Sequence, residues 1–309
     1  MARKPRIEFG GAVYHVINRG NYRRNVFEAA GAAEAFERTL FEACEQSEWL
    51  LHAYTIMRNH YHLALETPRA NLGQGIHWMT STFCTRFNRF RKENGHLFQG
   101  RHRAILIEPG LSLARVVNYI HLNPVRAHIL PVAGLHQYPW CSFRRFLAPT
   151  RPAFLVCSDW MADLGLTDSP SGWKEYRAHL EHLAADPVAR RTQGFDAFDS
   201  GWAIGSESWR QDVARDHRVH LAELAARGAH ESGLRLLRWS QALDALLAET
   251  GRSKAEASRA PKAAPWKVQL ASEMRRLTGA SIPWIAHQLC MGAPGSVRVY
   301  LSRLASSKN

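Results

Sequence analysis

The chain has 309 residues, 40 Lys+Arg against 27 Asp+Glu, a net charge of +13 and a pI near 10.0. Such a balance favours a polyanionic partner, and the length leaves room for one large domain or two. No apolar run approaches a membrane span. The basic start Met1 to Ile7 has no apolar core behind it, so no signal peptide is expected. The five cysteines match no zinc spacing and read as free thiols of a reducing cytoplasm.

The charge is uneven. Residues 1–150 hold 19 Lys+Arg, 10 Glu and no Asp, so a metal site of clustered aspartates cannot be built within them. Imidazoles, amides and a few Glu are the ligands that remain.

In chain order, Ala12 to Arg19 reads as a strand ended by Gly20-Asn21. His15 lies in it and could face the site, with core or sheet packing the expected role. Tyr22-Arg23-Arg24-Asn25 follows as a basic turn able to touch phosphates. Ala30 to Glu48 has helical spacing in Phe36, Leu40, Phe41 and Cys44. Strands are expected at 50–57 and 60–66, joined by the two-residue turn Arg58-Asn59. In the second, His60, His62, Ala64 and Glu66 alternate with Tyr61, Leu63 and Leu65, which reads as a half-buried strand. Its two imidazoles share a face and can grip one metal ion.

Leu72 to Asn94 is a long helix with Ile76, Met79, Phe83, Phe87 and Phe90 as its inward stripe and Arg86, Arg89, Arg91 and Lys92 towards its end. A strand is expected at Ala104 to Glu108, with Arg101, His102 and Arg103 ahead of it. The next helix carries Leu113, Val116, Val117 and Ile120 as an apolar stripe, with Ser112 as expected N-cap and Pro124 as expected stop. Tyr119 and Asn123 lie one turn apart on it. A phenol and an amide brought over a His-x-His strand suggest a nucleophile beside a metal. The order β-α-β-β-α-β-α suits a ferredoxin-like α+β fold, an antiparallel sheet covered by helices.

Beyond residue 148 the pattern weakens. Residues 149–200 are broken by prolines, with one amphipathic helix expected at Trp173 to Ala184. Residues 203–250 look helical, making 149–252 a mostly helical extension. Ser253 to Pro265 reads as a linker. Residues 266–309 read as three helices with a turn at Cys290-Met291-Gly292. That suits a helix-turn-helix reaching duplex DNA through Ser296, Arg298 and Arg303, or else a plain helical hairpin.

Four stretches carry a resemblance: Ala12-Val-Tyr-His-Val-Ile-Asn-Arg-Gly-Asn21, Met57-Arg-Asn-His-Tyr-His-Leu63, Phe98-Gln-Gly-Arg101 and Tyr119-Ile-His-Leu-Asn-Pro-Val-Arg-Ala127. Together they resemble the single-tyrosine transposases of the HUH class, and within it the REP-associated tyrosine transposases. The likeness is dense over residues 1–148 and weaker at Ala203-Ile-Gly-Ser-Glu207. It implies the same fold and a strand transfer in which Tyr119 attacks single-stranded, hairpin-forming DNA, leaving a 5′-phosphotyrosine and a free 3′-hydroxyl. It also implies His60 and His62 as metal ligands. Asn123 takes the third-ligand place, where some relatives carry Gln. Two imidazoles and an amide oxygen leave coordination sites open, which suits Mg²⁺ or Mn²⁺. Arg19, Arg23, Arg24, Arg86, Arg89, Arg101, Arg103 and Arg126 are the expected DNA contacts, with Tyr22 and Phe98 either base stackers or core. A cytoplasmic monomer or homodimer is expected. The rival readings are a non-catalytic DNA-binding regulator, an RNA-binding sheet and a His-x-His metallohydrolase.

Overall fold

The structure, a computed structural model, describes residues 7–217 and 231–306. Two compact units divide the chain, Met1–Arg227 and Gly228–Asn309.

The first unit is α+β. Its strands β1 (Ala12–Arg19), β2 (Leu50–Ile56), β3 (His60–Thr67), β4 (Arg103–Ile107) and β5 (Ala203–Ile204) lie in the order β2-β3-β1-β4-β5. The first four pair antiparallel, as a ferredoxin-like layout requires. The fifth runs parallel to β4, pairing Leu106 with Ala203 and Ile107 with Ile204, so the sheet is mixed rather than purely antiparallel. A short strand therefore opens the stretch that had been expected to start as helix. The β2-β3 hairpin is closed by the Met57 amide donating to the His60 carbonyl at 2.8 Å around Arg58-Asn59.

Helices α1 (Ala32–Ser47) and α2 (Leu72–Arg91) pack on the sheet face carrying Tyr14, Val16, Tyr61 and Leu63. Phe27, Phe36, Tyr61, Phe83 and Phe98 meet there, ring centroids 4.6 Å apart for Phe36–Tyr61 and 5.8 Å for Phe27–Phe83. Such pairs contribute about 0.5–1.5 kcal/mol each beyond the area they bury. Phe98 is part of this cluster and only 7 % exposed, so it is core and not a base stacker.

The opposite face carries His15, Ile17, His60 and His62 and is covered by α3 (Leu111–Arg126). Both faces of β3 are therefore buried, apart from its ends, and the half-buried reading gives way to a strand enclosed on both sides. Two details of α3 also differ from expectation. Gly110, at φ 85°, is its N-cap and Ser112 lies inside the first turn. The helix also runs through Pro124 to Arg126. Proline removes one backbone donor, the amide that would have bonded the Ile120 carbonyl, and the helix ends two residues later. The side-chain amide of Asn123 donates to the Tyr119 carbonyl at 3.1 Å in the same turn.

Behind α3 lie α4 (Ser142–Phe146), α5 (Ser158–Asp163) and α6 (Pro170–Ala185), joined through Phe143, Phe146, Trp160, Trp173 and Tyr176. His121 anchors α3 to them. Ser142 Oγ donates to the Tyr54 carbonyl at 3.2 Å, so His121 Nε2 must donate to Ser142 Oγ (2.8 Å) and Nδ1 must accept from the Tyr176 hydroxyl (2.8 Å). Burial holds this imidazole neutral, its pKa lowered to about 3. α7 (Pro187–Thr192) leads into a turn at Gly194–Ser200, then β5 and α8 (Glu207–Asp216).

The second unit is helical: α9 (Glu231–Glu249), α10 (Lys254–Arg259), α11 (Pro265–Thr278), α12 (Ile282–Gln288) and α13 (Pro294–Ser306). Its core gathers Trp239, Leu243, Met274, Ile285, Leu289 and Val297. The stretch read as a linker contains α10, which Ser253 caps by accepting from the Glu256 amide at 3.1 Å and whose Ala257 is fully buried.

Candidate active site around Tyr119

β3 and α3 deliver the imidazoles and the phenol to one place. The ring of Tyr119 lies 5.7 Å from that of His62 and 5.8 Å from that of His15, edge-on to both. His60 and His62 are 5.0 Å apart between ring centres. The i, i+2 spacing places both histidines on the α3 face of the strand, and all of this is assembled within one chain.

The hydrogen bonds fix the histidine tautomers. His15 Nδ1 lies 3.0 Å from the Phe198 carbonyl, which can only accept, so the proton is on Nδ1. Burial holds His15 neutral, its pKa lowered to about 4, and its Nε2 is then an acceptor. His62 Nδ1, 3.0 Å away, must donate to it. That leaves the Nε2 of His62 with a bare lone pair. At His60, Asn59 donates through Nδ2 to the Arg23 carbonyl at 3.3 Å, which turns Asn59 Oδ1 to His60 Nδ1 at 2.7 Å. His60 Nδ1 therefore donates, and its Nε2 is likewise bare. Burial, then the charge of Arg19, lowers the His60 pKa to about 4; burial, then neighbouring His15 and His60, holds His62 well below its ordinary value. Two neutral imidazoles, each oriented by a hydrogen bond at its far nitrogen, are what a divalent cation needs as ligands.

The Gly194–Ser200 turn completes the site, and nothing in the sequence pattern announced it. Phe195 and Phe198 stand edge-on to Tyr119 at 5.5 and 5.6 Å. The Tyr119 hydroxyl donates to Asp199 Oδ2 at 2.6 Å, and Asp199 Oδ1 lies 3.9 Å from His62 Nδ1. His15, His62 and Asp199 thus bring three ligand atoms within 4.8 Å of one another. At that edge a proton shared between the two imidazoles and a bound ion are alternatives. Tyr119 is 2 % exposed, and its hydroxyl is bonded to the carboxylate of Asp199, whose side chain is 57 % exposed. Burial first, and the Asp199 charge second, raise the phenol's pKa; Arg126, 4.5 Å over the ring, acts the other way.

The other expected residues distribute unevenly. Arg126 stacks on Tyr119, and Arg103 donates to the backbone carbonyl of Asp199. Arg19 sits opposite His60 in the β1-β3 register. Arg23 follows Tyr22 in an exposed turn, where both residues have positive φ and Tyr22 is 93 % exposed. Arg24 is paired with Glu93 at 2.6 Å. Arg86 binds Glu42 and Thr39, and with Arg89 it belongs to α2, on the sheet face away from Tyr119. Arg101 lines a groove of about 660 Å³ with Glu8, Asn18 and His77. Asn123 spends its amide nitrogen on the Tyr119 carbonyl, and the oxygen found beside His62 belongs to Asp199. Ser296, Arg298 and Arg303 lie on α13 of the second unit. The signal for His15 was its place on β1, two residues from Ile17, which faces His62, and so on the same face of the sheet. For Asp199, eighty residues from Tyr119, there was none.

The site therefore sets two neutral imidazoles of the sheet against a helix-borne tyrosine. Residues 9–123 match the family model described as Transposase IS200 like. No curated protein matches the chain. Among solved structures, a REP-associated tyrosine transposase bound to a REP hairpin is 17 % identical, with a TM-score of 0.39, over 56 % of this chain and 96 % of that one. A provisionally assigned transposase of Deinococcus radiodurans R1 is 18 % identical, with a TM-score of 0.29, over 41 % and 92 %. Neither likeness, at this level, extends to what this chain binds or cleaves.

Proposed function

We propose that the chain cleaves and rejoins single-stranded DNA at hairpin-forming repeats of the REP kind, through a 5′-phosphotyrosine on Tyr119. The observation that carries this reading is the meeting of the Tyr119 phenol with two imidazoles whose Nε2 lone pairs are free.

His60 and His62 would hold a divalent ion, Mg²⁺ or Mn²⁺, with Asp199 or Asn123 as the oxygen donor. Neutral imidazoles with bare Nε2 atoms fit such an ion. When bound it would polarise a non-bridging phosphoryl oxygen and orient the ester.

The protein's own part follows from the hydrogen bonds. Tyr119 is protonated at neutral pH, because its pKa is raised. Its Oη attacks the phosphorus, and the phenolic proton passes to Asp199 Oδ2, already 2.6 Å away. The bond from phosphorus to the 3′-oxygen breaks, and that oxygen takes a proton from water to leave as a 3′-hydroxyl. The ester energy is kept in the phosphotyrosine. Another 3′-hydroxyl can therefore reverse the step and join strands without a nucleotide cofactor. Arg126 and Arg103, flanking the phenol and Asp199, would balance the phosphate charge. Tyr22, exposed between Arg19 and Arg23, would stack an unpaired base.

The test is a covalent adduct assay with a labelled hairpin oligonucleotide in Mn²⁺. Wild type should yield a protein–DNA adduct stable to denaturant. Tyr119→Phe should yield none while still retarding the oligonucleotide. An adduct formed by Tyr119→Phe, or no adduct from wild type on any hairpin with a single-stranded flank, would overturn the reading.

A further inference from the structure

We propose that α12 and α13 form a helix-turn-helix that docks on double-stranded DNA, with α13 in the major groove. This gives the chain a duplex-reading surface separate from the single-strand chemistry of Tyr119, and it stands whether or not that chemistry is correct.

The local fold comes first. Ser281 caps α12 by accepting from the Trp284 amide at 3.4 Å, with Pro283 in the first turn. The helix ends at Gln288. The chain reverses through Cys290 at φ 50° and Gly292 at φ 84°, and the buried Met291 donates its amide to the Ala286 carbonyl at 2.9 Å. Pro294 then opens α13. Ile285, Ala286, Leu289 and Val297 lock the two helices on α11 through Ala271 and Met274. The result is a rigid pair of helices with a tight turn, backed by a third.

The outward face of α13 is the second observation. Val297, Leu301 and Leu304 turn to the core or pack against it, which leaves Gly295, Arg298, Val299, Ser302 and Arg303 exposed along one continuous side. A Cβ on Gly295 would meet nothing within 4 Å, so a phosphate backbone can approach the start of the helix closely. Val299 is 48 % exposed amid polar neighbours, a suitable contact for a thymine methyl. Arg298 and Arg303 form no ion pair among the described residues, whereas Arg252 pairs with Glu256, Lys254 with Asp244 and Arg276 with Glu273.

Charge selects the occupant. Residues 228–309 carry 12 Lys+Arg against 5 Asp+Glu, and from Met274 to Asn309 there is no carboxylate side chain at all, while Arg275, Arg276, Arg298, Arg303 and Lys308 all fall there. An acid-free helix with a basic, narrow and rigid outer face suits the floor and walls of a DNA groove.

The experiment uses the full chain and a pool of randomised 24-base-pair duplexes, enriched by repeated rounds of binding and sequencing. Wild type should enrich a common motif. Arg298→Ala/Arg303→Ala, which changes only exposed side chains, should bind that selected duplex at least tenfold more weakly. It should also lower the salt slope of binding by about 2 if each arginine contacts a phosphate. Thermal melting of the double variant should match wild type. No enriched motif from wild type, or binding by the double variant within twofold of wild type, would overturn the proposal. Adduct formation on a hairpin oligonucleotide, measured in the same preparations, separates the outcomes. Adduct without a duplex motif sinks this proposal alone, and a motif without adduct sinks the cleavage reading alone.

Discussion

Tyr119 is built from two sides that could hardly differ more in how they are encoded. On one side, β3 and α3 supply His60, His62 and the phenol from regular elements whose periodicity fixes which side chains share a face. On the other, the Gly194–Ser200 turn supplies Phe195, Phe198 and Asp199 from a stretch with no periodicity. The regular side sets where the imidazoles are. The irregular side sets what the hydroxyl bonds to and, through the Phe198 carbonyl, which nitrogen of His15 carries its proton. A loop held on a rigid sheet therefore decides the protonation pattern of residues the sheet positions.

The largest effects should separate the two sides. His60→Ala removes a proposed metal ligand from the regular side and should abolish adduct formation in Mn²⁺. Asp199→Asn keeps the shape of the turn but cannot take the phenolic proton, so single-turnover adduct formation should slow by about 10²–10⁴-fold, the usual contribution of a positioned general base. Hairpin binding should change little in either variant. A faster adduct with Asp199→Asn would mean that the carboxylate only covers the hydroxyl, and the proton would need another acceptor.

The regular side was legible because its signals are local. The strands at 12–19, 50–56 and 60–67, the hairpin at Arg58-Asn59 and the shared face of His60 and His62 follow from patterns over a few residues. Pro124 misled, since the helix runs two residues past it before ending at Arg126. Ser112 misled because Gly110, with its positive φ, could start the helix two residues earlier. Asp199 was out of reach for a different reason. It is joined to Tyr119 by a contact across eighty residues, and short polar turns with scattered aromatics look alike whether they cap an active site or fill a surface. The absence of Asp from residues 1–150 hid it further, because the carboxylate enters from outside that span. His15 was seen as sheet packing, and it is fully buried, yet its free nitrogen is committed to His62.

A smaller effect concerns acid. His15, His60 and His121 are held neutral, with pKa values lowered to about 4, about 4 and about 3 from an unfolded value of 6.5. Above pH 6.5 neither state binds these protons and stability is level. As pH falls below 6.5 the unfolded chain takes them up and the native fold does not, so each costs up to about 1.4 kcal/mol per pH unit until its native pKa is reached. Urea midpoints for the metal-free protein should therefore hold steady from pH 8 to 7 and fall steeply between 6 and 4. His121→Gln should shallow that fall by one proton's worth, whatever it does to stability at pH 7.5. A flat profile from pH 7 to 5 would contradict the neutral, buried assignment of all three.

The smallest effect tests the irregular side by itself. Phe198→Ala removes a ring that is 4 % exposed and packed on Tyr119. Truncating a phenylalanine in a central core costs about 3–5 kcal/mol, but a surface turn can relax and rehydrate, so a loss of about 2 kcal/mol is expected here. Hydrogen exchange should quicken at backbone amides 194–200 and stay unchanged in β1 and β3. With the turn loosened, the Phe198 carbonyl no longer fixes His15 Nδ1 as donor, and the neighbouring imidazoles can exchange tautomers. Their ring ¹⁵N shifts should then move towards averaged values while the sheet remains intact. Unchanged shifts would mean that β1 and β3 orient the imidazoles without the loop.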